Sequence, residues 1–169
     1  VSIGFIRHED KITAIAFHPT YPIVATASRD GTLRLSTFDG EEVSLLADGD
    51  REVTDMAWHS DGLLLAVAGR DRAIVLWKFT FDTSGTRLLE EAIALSRLWG
   101  HGAEITGLSW HPQGRILASS SRDRTVKLWS FANLETDSLQ PMRTLSRESA
   151  IVQPLREDGF TDVSFSPDG

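Results

Sequence analysis

His101, Ser119 and Asp123 are the residue types of a hydrolytic triad, in which an imidazole oriented by a carboxylate activates a hydroxyl nucleophile. Such a nucleophile has to be exposed beside an oxyanion hole, and here a repeated pattern accounts for all three residues without chemistry. His18, His59 and His111 form a second set, each beside a turn and separated by 41 and 52 residues. That spacing puts them on different units, so they read as separate turn histidines rather than as ligands of one ion. There is no glycine-rich phosphate loop and no close cluster of His and carboxylates with ligand spacing. No metal, no cofactor and no enzymatic activity is expected.

The pattern is an array. "TASRDGTLRLS" from Thr26, "VAGRDRAIVLW" from Val67 and "SSSRDRTVKLW" from Ser119 share a small-residue run, an Arg-Asp pair and an alternating apolar stretch. Upstream of each lies a second block, "KITAIAFHPTYP", "EVTDMAWHSDG" and "EITGLSWHPQG", and a fourth copy, "GFTDVSFSPDG", ends the sequence. The apolar anchors Ile12, Val53, Ile105 and Phe160 are 41, 52 and 55 residues apart, so insertions fall between units. A repeat of this length is one supersecondary element that stacks on its neighbours.

Composition sets bounds on function. The chain has 169 residues, 41% hydrophobic and 24% charged, which suits a globular core. Its net charge of −7 argues against general nucleic-acid binding, which needs a basic surface to neutralise phosphates. No apolar run reaches the length of a membrane span, and "VSIGFIRHED" is not a signal peptide. The absence of Cys is compatible with a reducing compartment, and an intracellular, cytoplasmic location is expected.

Within a unit, "ITGLSW", "RILASS" and "TVKLWSF" read as strands. "HPQG", "HSDG" and "SPDG" supply the first turn, and "SRDG" or "SRDR" a tight second corner. A less regular fourth strand follows in "EEVSLL", "EEAIALS" and "MRTLS". Four antiparallel strands of this length bury neither face alone, and stacking such sheets around an axis gives an all-β propeller. Trp58, Trp77, Trp110 and Trp129 are expected at equivalent core positions, with Trp99 near the end of an outer strand.

"RHEDKITAIAFHP…ATASRDGTLRLS" and "GHGAEITGLSWHPQGRILASSSRDRTVKLWS" resemble WD repeats, with Gly100-His101 as the Gly-His pair and Trp129 at the Trp position. The likeness covers nearly the whole chain. It departs in detail: Lys78 and Ser130 follow the tryptophans in place of Asp, Ser36 replaces the first Trp, and Gly49 stands where the second unit would have its His. The resemblance implies a buried hydrogen-bond chain of His, Ser or Thr, corner Asp and Trp. It is complete in the third unit, with His101, Ser119 (or Ser121 on the same strand face), Asp123 and Trp129. The first unit keeps His8, Thr26 and Asp30, and the second keeps Asp71 and Trp77.

The same resemblance implies that Arg29, Arg70 and Arg122, each preceding a corner Asp, project onto the narrower, partner-binding face around the channel. Lys11 and Thr13, Glu52 and Thr54, and Glu104 and Thr106 flank the first-strand anchors beside them. Guanidinium groups suit carboxylate or phosphate, so an acidic or phosphorylated protein segment is the expected partner. Against this stands simple self-pairing of Glu52 and Glu104 with Arg70 and Arg122. A small-molecule or catalytic pocket at the channel is the alternative function, which the Arg and Thr at the corners disfavour.

Residues 1–7 read as the outer strand of a preceding blade, 8–48, 49–98 and 99–146 as three blades, and 147–169 as a linker and the start of a fourth. With members of the family closing at about seven blades, the chain reads as a segment of a longer multidomain protein. Its remaining blades, or a second copy, would cover the open flanks.

Overall fold

A computed structural model describes residues 6–47, 52–82, 88–131, 141–146 and 159–168. Residues 1–5 and the linker before Gly159, to which outer-strand and linker roles were assigned, lie outside the described residues, as does Gly49.

Twelve strands form three sheets of four, each an antiparallel meander. The first holds β1 (Ile12–Phe17), β2 (Ile23–Ser28), β3 (Thr32–Thr37) and β4 (Glu42–Ala47). The second holds β5 (Val53–Trp58), β6 (Leu64–Gly69), β7 (Ala73–Phe81) and β8 (Leu89–Trp99). The third holds β9 (Ile105–Trp110), β10 (Ile116–Ser121), β11 (Thr125–Ser130) and β12 (Pro141–Ser146). No helix occurs among the described residues, and none is long and apolar enough to cross a membrane.

The second strand of each sheet is the most deeply buried and is paired on both edges. β2 and β6 are buried at every position. The side chains of β6 alternate between two cores, as the period of two requires. Leu65 and Val67 of β6 meet Ile23, Ala25 and Ala27 of β2 in one core. Ala66 and Ala68 meet Leu108, Leu117 and Trp129 in the other. Small residues on second strands let neighbouring sheets approach closely.

The register repeats from sheet to sheet. Val24 pairs with Ser36, Leu65 with Trp77 and Leu117 with Trp129. Two residues further along the second strand, Thr26, Val67 and Ser119 therefore occupy one equivalent position. The tryptophans divide into two sets rather than one, since Trp77 and Trp129 sit on third strands and Trp58 and Trp110 end first strands. The latter pair bridges sheets: Trp58 Nε1 donates to Ala16 O at 3.3 Å and Trp110 Nε1 to Ala57 O at 3.0 Å.

The turn histidines also bridge. His18 Nε2 donates to the Gly62 carbonyl at 2.9 Å and His59 Nε2 to that of Gly114 at 2.8 Å. Both glycines have positive φ, +76° and +71°, and a Cβ on either would overlap the histidine ring. The first turns of sheets one and two are thus each stapled to the equivalent turn of the next sheet.

Candidate partner-binding face and its supporting network

The third sheet carries a continuous polar chain inside the seam between sheets two and three. Trp129 Nε1 donates to Ser119 Oγ at 2.9 Å, and Ser119 Oγ lies 2.8 Å from His101 Nε2. His101 Nδ1 is 2.8 Å from Asp123 Oδ2, which also accepts the Gly102 N–H at 2.8 Å. The other carboxylate oxygen takes the Thr125 N–H and Oγ1–H at 2.9 and 2.6 Å. One proton arrangement satisfies all of these: Ser119 donates to a neutral His101 that carries its proton on Nδ1 and donates it to the carboxylate.

The charges follow from that arrangement. Burial lowers the His101 pKa below its ordinary value, although its hydrogen bond and charge contact with Asp123 act the other way. Burial would raise Asp123, but hydrogen bonds from Thr125, Gly102 and His101 outweigh it and hold the carboxyl at about 2. Ser119 is wholly buried, with its hydroxyl committed to two partners. It lies where no substrate carbonyl can reach it, which is the opposite of what a nucleophile needs. Ser121 serves another purpose: it donates to the Ala103 and Glu104 carbonyls at 3.1 and 2.9 Å and accepts the Asp123 N–H at 3.0 Å.

In the first sheet, His8 Nε2 meets Thr26 Oγ1 and Nδ1 meets Thr32 Oγ1, both at 2.8 Å. Thr32 donates in turn to Asp30, so a threonine stands between imidazole and carboxylate. Burial lowers the His8 pKa, and that of Asp30 falls well below the usual carboxylate range because the bonds from Thr32, Glu9 and Ser28 outweigh burial. Thr32 and Thr125 were not singled out by sequence reasoning, although both stand two residues after a corner Asp. In the second sheet Val67 replaces the hydroxyl, and the buried Trp77 Nε1 has no acceptor among the described residues. Asp71 accepts the Ala73 N–H at 3.2 Å and lies 3.7 Å from Arg97.

At the channel end of the sheets, the backbone itself sets the corner arginines beside the residues before each first strand. The Arg29, Arg70 and Arg122 N–H groups donate to the Lys11, Glu52 and Glu104 carbonyls at 2.9, 3.0 and 3.0 Å. Pairing between first and second strands skips Thr13, Thr54 and Thr106, which makes each of them a bulge residue at the mouth. Thr13 Oγ1 donates to Ala27 O and Thr106 Oγ1 to Phe160 O, whereas the buried Thr54 Oγ1 has no partner among the described residues.

Side chains then form a ladder across three sheets. Arg29 lies 3.7 Å from Glu52, Arg70 lies 2.7 Å from Glu52 and 3.9 Å from Glu104, and Arg122 lies 3.3 Å from Glu104. The Glu52 hydrogen bond, then the Glu52 and Glu104 charges, raise the Arg70 pKa further. The arginine side chains are 56–65% exposed and the two carboxylates 23–25%. An incoming group therefore meets guanidinium first, with carboxylate beneath it. Beside the ladder, Lys11, Glu52, Thr54, Glu104, Thr106, Arg122 and Phe160 line a concavity of about 610 Å³.

Two features of this end escaped sequence reasoning. Asp55 Oδ2 accepts the Leu108 N–H of the next sheet at 2.6 Å. Burial raises its pKa, the Leu108 and Met56 N–H groups oppose that, and the charge of Asp162 adds to it. Gly107 lies between them; a Cβ there would come within 2.6 Å of Asp162 Oδ1 and 2.9 Å of Ser120 Oγ. The second feature is that Arg72 and Arg124 adopt positive φ, 74° and 67°, where the first sheet has Gly31 at 84°. A non-glycine residue costs about 1–2 kcal/mol in that region.

Four-stranded meanders stacked side by side, with first strands toward a common channel, define an open arc of a β-propeller. The family model of the WD domain, G-beta repeat (WD40), matches residues 2–35, 40–78 and 94–130, and the chain belongs to this family. It is 25% identical to Protein HIR1 of Yarrowia lipolytica, over 96% of this chain and 16% of that protein. It is 31% identical to Nuclear distribution protein nudF of Aspergillus flavus, over 72% of this chain and 26% of that protein. It is 32% identical to the Probable cytosolic iron-sulfur protein assembly protein 1 of Candida glabrata, over 72% of this chain and 38% of that protein. The chain thus spans well under half the length of these relatives.

Proposed function

We propose that the chain belongs to a non-catalytic interaction scaffold whose channel face holds an acidic or phosphorylated segment of a partner protein. The observation that carries this reading is the ladder of three exposed guanidinium groups held over two partly buried carboxylates. Glu52 and Glu104 orient the arginines without covering them, which lowers the ordering cost of docking an anion. Self-pairing and binding are then two aspects of one arrangement. Burial of Ser119 and the structural use of His101 and Asp123 favour binding over hydrolysis. Similarity to the probable cytosolic iron-sulfur protein assembly protein of Candida glabrata supports an intracellular, cytoplasmic setting within a larger assembly.

The test is a variant with Arg29, Arg70 and Arg122 all changed to Glu. Binding of a fluorescein-labelled peptide of alternating Asp and Gly, and of its phosphoserine counterpart, is followed by polarisation. The variant is expected to lose both peptides while keeping its melting temperature, since all three side chains are more than half exposed. Unchanged binding of both peptides rejects the reading.

A further inference from the structure

The exposed apolar side chains fall into two groups. Ile15, Phe17, Leu45 and Leu145 belong to the first and third sheets, each of which has a described sheet on one side only. The second group has no such cause. Ile93, Leu95 and Trp99 are 42%, 39% and 52% exposed, yet they belong to the middle sheet, which packs against the first sheet in one core and the third in the other. All three lie on β8, whose outer edge pairs with no strand among the described residues.

β8 also differs from the other outer strands. It runs for 11 residues where β4 and β12 run for 6. Register locates the difference: Trp77 pairs with Ala94 as Ser36 pairs with Glu42 and Trp129 with Pro141, so Leu89–Ile93 extends past the point where its counterparts begin. β12 opens on proline, which lacks the N–H an added strand would use, and β4 opens on a glutamate held by Arg34. β8 carries no proline. Its bulge at Leu95 recurs at Val43 and Met142, so it belongs to the repeat and is no special guard of this edge. A long apolar edge of this kind is a template for strand addition.

Charge decides the occupant. Glu90 and Glu91 are exposed at the start of β8, while Arg34 is engaged by Glu42 and Arg97 lies 3.7 Å from Asp71. Beside that end, Glu41 and Glu42 border a groove of about 430 Å³ whose apolar lining includes Val43, Leu88 and Leu89. A second copy is disfavoured by the net charge of −7 that each would bring. We propose that an extended segment of a partner protein, apolar at alternate residues and carrying Lys or Arg at the end that meets Glu90 and Glu91, adds as a further strand to the outer edge of β8. Backbone hydrogen bonds hold it, Ile93, Leu95 and Trp99 flank its apolar residues, and the glutamates receive its basic end. This surface is separate from the arginine ladder and takes a partner of opposite charge.

The full chain is titrated with a fluorescein-labelled Lys-Lys-Val-Thr-Ile-Thr-Val peptide, followed by polarisation. Two N-methylated forms are compared, one modified at Val and Ile and the other at Thr. One is expected to lose binding and the other to keep it, because only alternate N–H groups of an added strand face β8. I93S/L95S and E90K/E91K are each expected to bind the parent peptide about fivefold more weakly, and E90K/E91K to leave unchanged the binding of a peptide with Thr in place of both lysines. Both variants should keep the parental melting temperature, since all four side chains are exposed. F17S/F38S and R29E/R70E/R122E are expected to bind as the parent does, so this inference and the ladder can fail independently. Parental affinity in I93S/L95S, equal binding of both N-methylated forms, or no binding by the parent chain overturns the inference. Weaker binding by F17S/F38S would place the peptide on the first sheet, and altered binding by the triple Glu variant would place it on the channel face; either overturns it too. So does a solution mass that I93S/L95S lowers in light scattering, which would make a second copy the occupant.

Discussion

At the scale of single residues, stability in this chain depends on which members of one polar chain each sheet retains. In the third sheet every polar atom from Trp129 to Asp123 is matched, so loss of the carboxylate strands four donors at once: Gly102 N–H, the Thr125 N–H and hydroxyl, and His101 Nδ1–H. Asp123→Ala is expected to cost about 3 kcal/mol and Asp71→Ala about 1 kcal/mol in urea unfolding. Equal losses would contradict the account. The acid limb adds a second readout. The folded Asp123 carboxyl sits at about 2 against an ordinary 3.8, so its contribution is complete above the ordinary value and disappears as pH falls toward about 2. His101 is lowered from 6.5, so its contribution is present above that value and declines as pH falls below it. Asp123→Ala should remove the lower window and steepen the upper one, because the imidazole loses its anionic partner. The residue types of this network were legible in the sequence. The intervening Thr32 and Thr125 were not, because a threonine in a strand is also an ordinary β-former.

At the scale of elements, what joins one sheet to the next is a set of side chains that leave their own sheet. His18, His59, Trp58, Trp110 and Asp55 each bond to the backbone of a neighbouring sheet. The receiving glycines have to be glycine for two reasons together, positive φ and the imidazole lying where a Cβ would be. Gly114→Ala is expected to cost about 3 kcal/mol in thermal or urea unfolding, from left-handed backbone plus the displaced His59 ring. Gly102→Ala is the control; its Cβ would meet Asp123 Cβ at an ordinary 3.7 Å, and a change of under about 1 kcal/mol is expected. A sequence pattern marks these positions as turns. It does not say that the histidine of one turn reaches the glycine of the next, which depends on how far one sheet is rotated against another.

At the scale of the molecule, the described part of the chain is an arc with an apolar face open on its first sheet. Phe17 is 68%, Ile15 58% and Phe38 56% exposed, and Phe17 and Phe38 meet edge to face with ring centroids 5.9 Å apart. Phe17 occupies the position at which Trp58 and Trp110 pack on a preceding sheet. Such a surface favours association in water. The chain is expected to show a solution mass that rises with concentration in light scattering, and a Phe17→Ser, Phe38→Ser variant to show a mass independent of it. Stability should change by less than about 1 kcal/mol, since neither ring is buried. A concentration-independent mass in the parent chain would show that this face is not adhesive.

The sequence by itself determined the repeat, the strand order within each unit, the corner and turn residues and the all-β propeller class. These follow from local periodicity and from residues whose backbone preferences do not depend on distant neighbours. Tertiary structure alone decided which hydroxyl closes the His101 chain, since Ser119 and Ser121 share a strand face and only the register with Trp129 separates them. It also decided the sharing of Glu52 and Glu104 between arginines of adjacent sheets, and the strained backbone of Arg72 and Arg124. Each of those depends on the distance and rotation between units, which many weak contacts set jointly and no short stretch of sequence encodes.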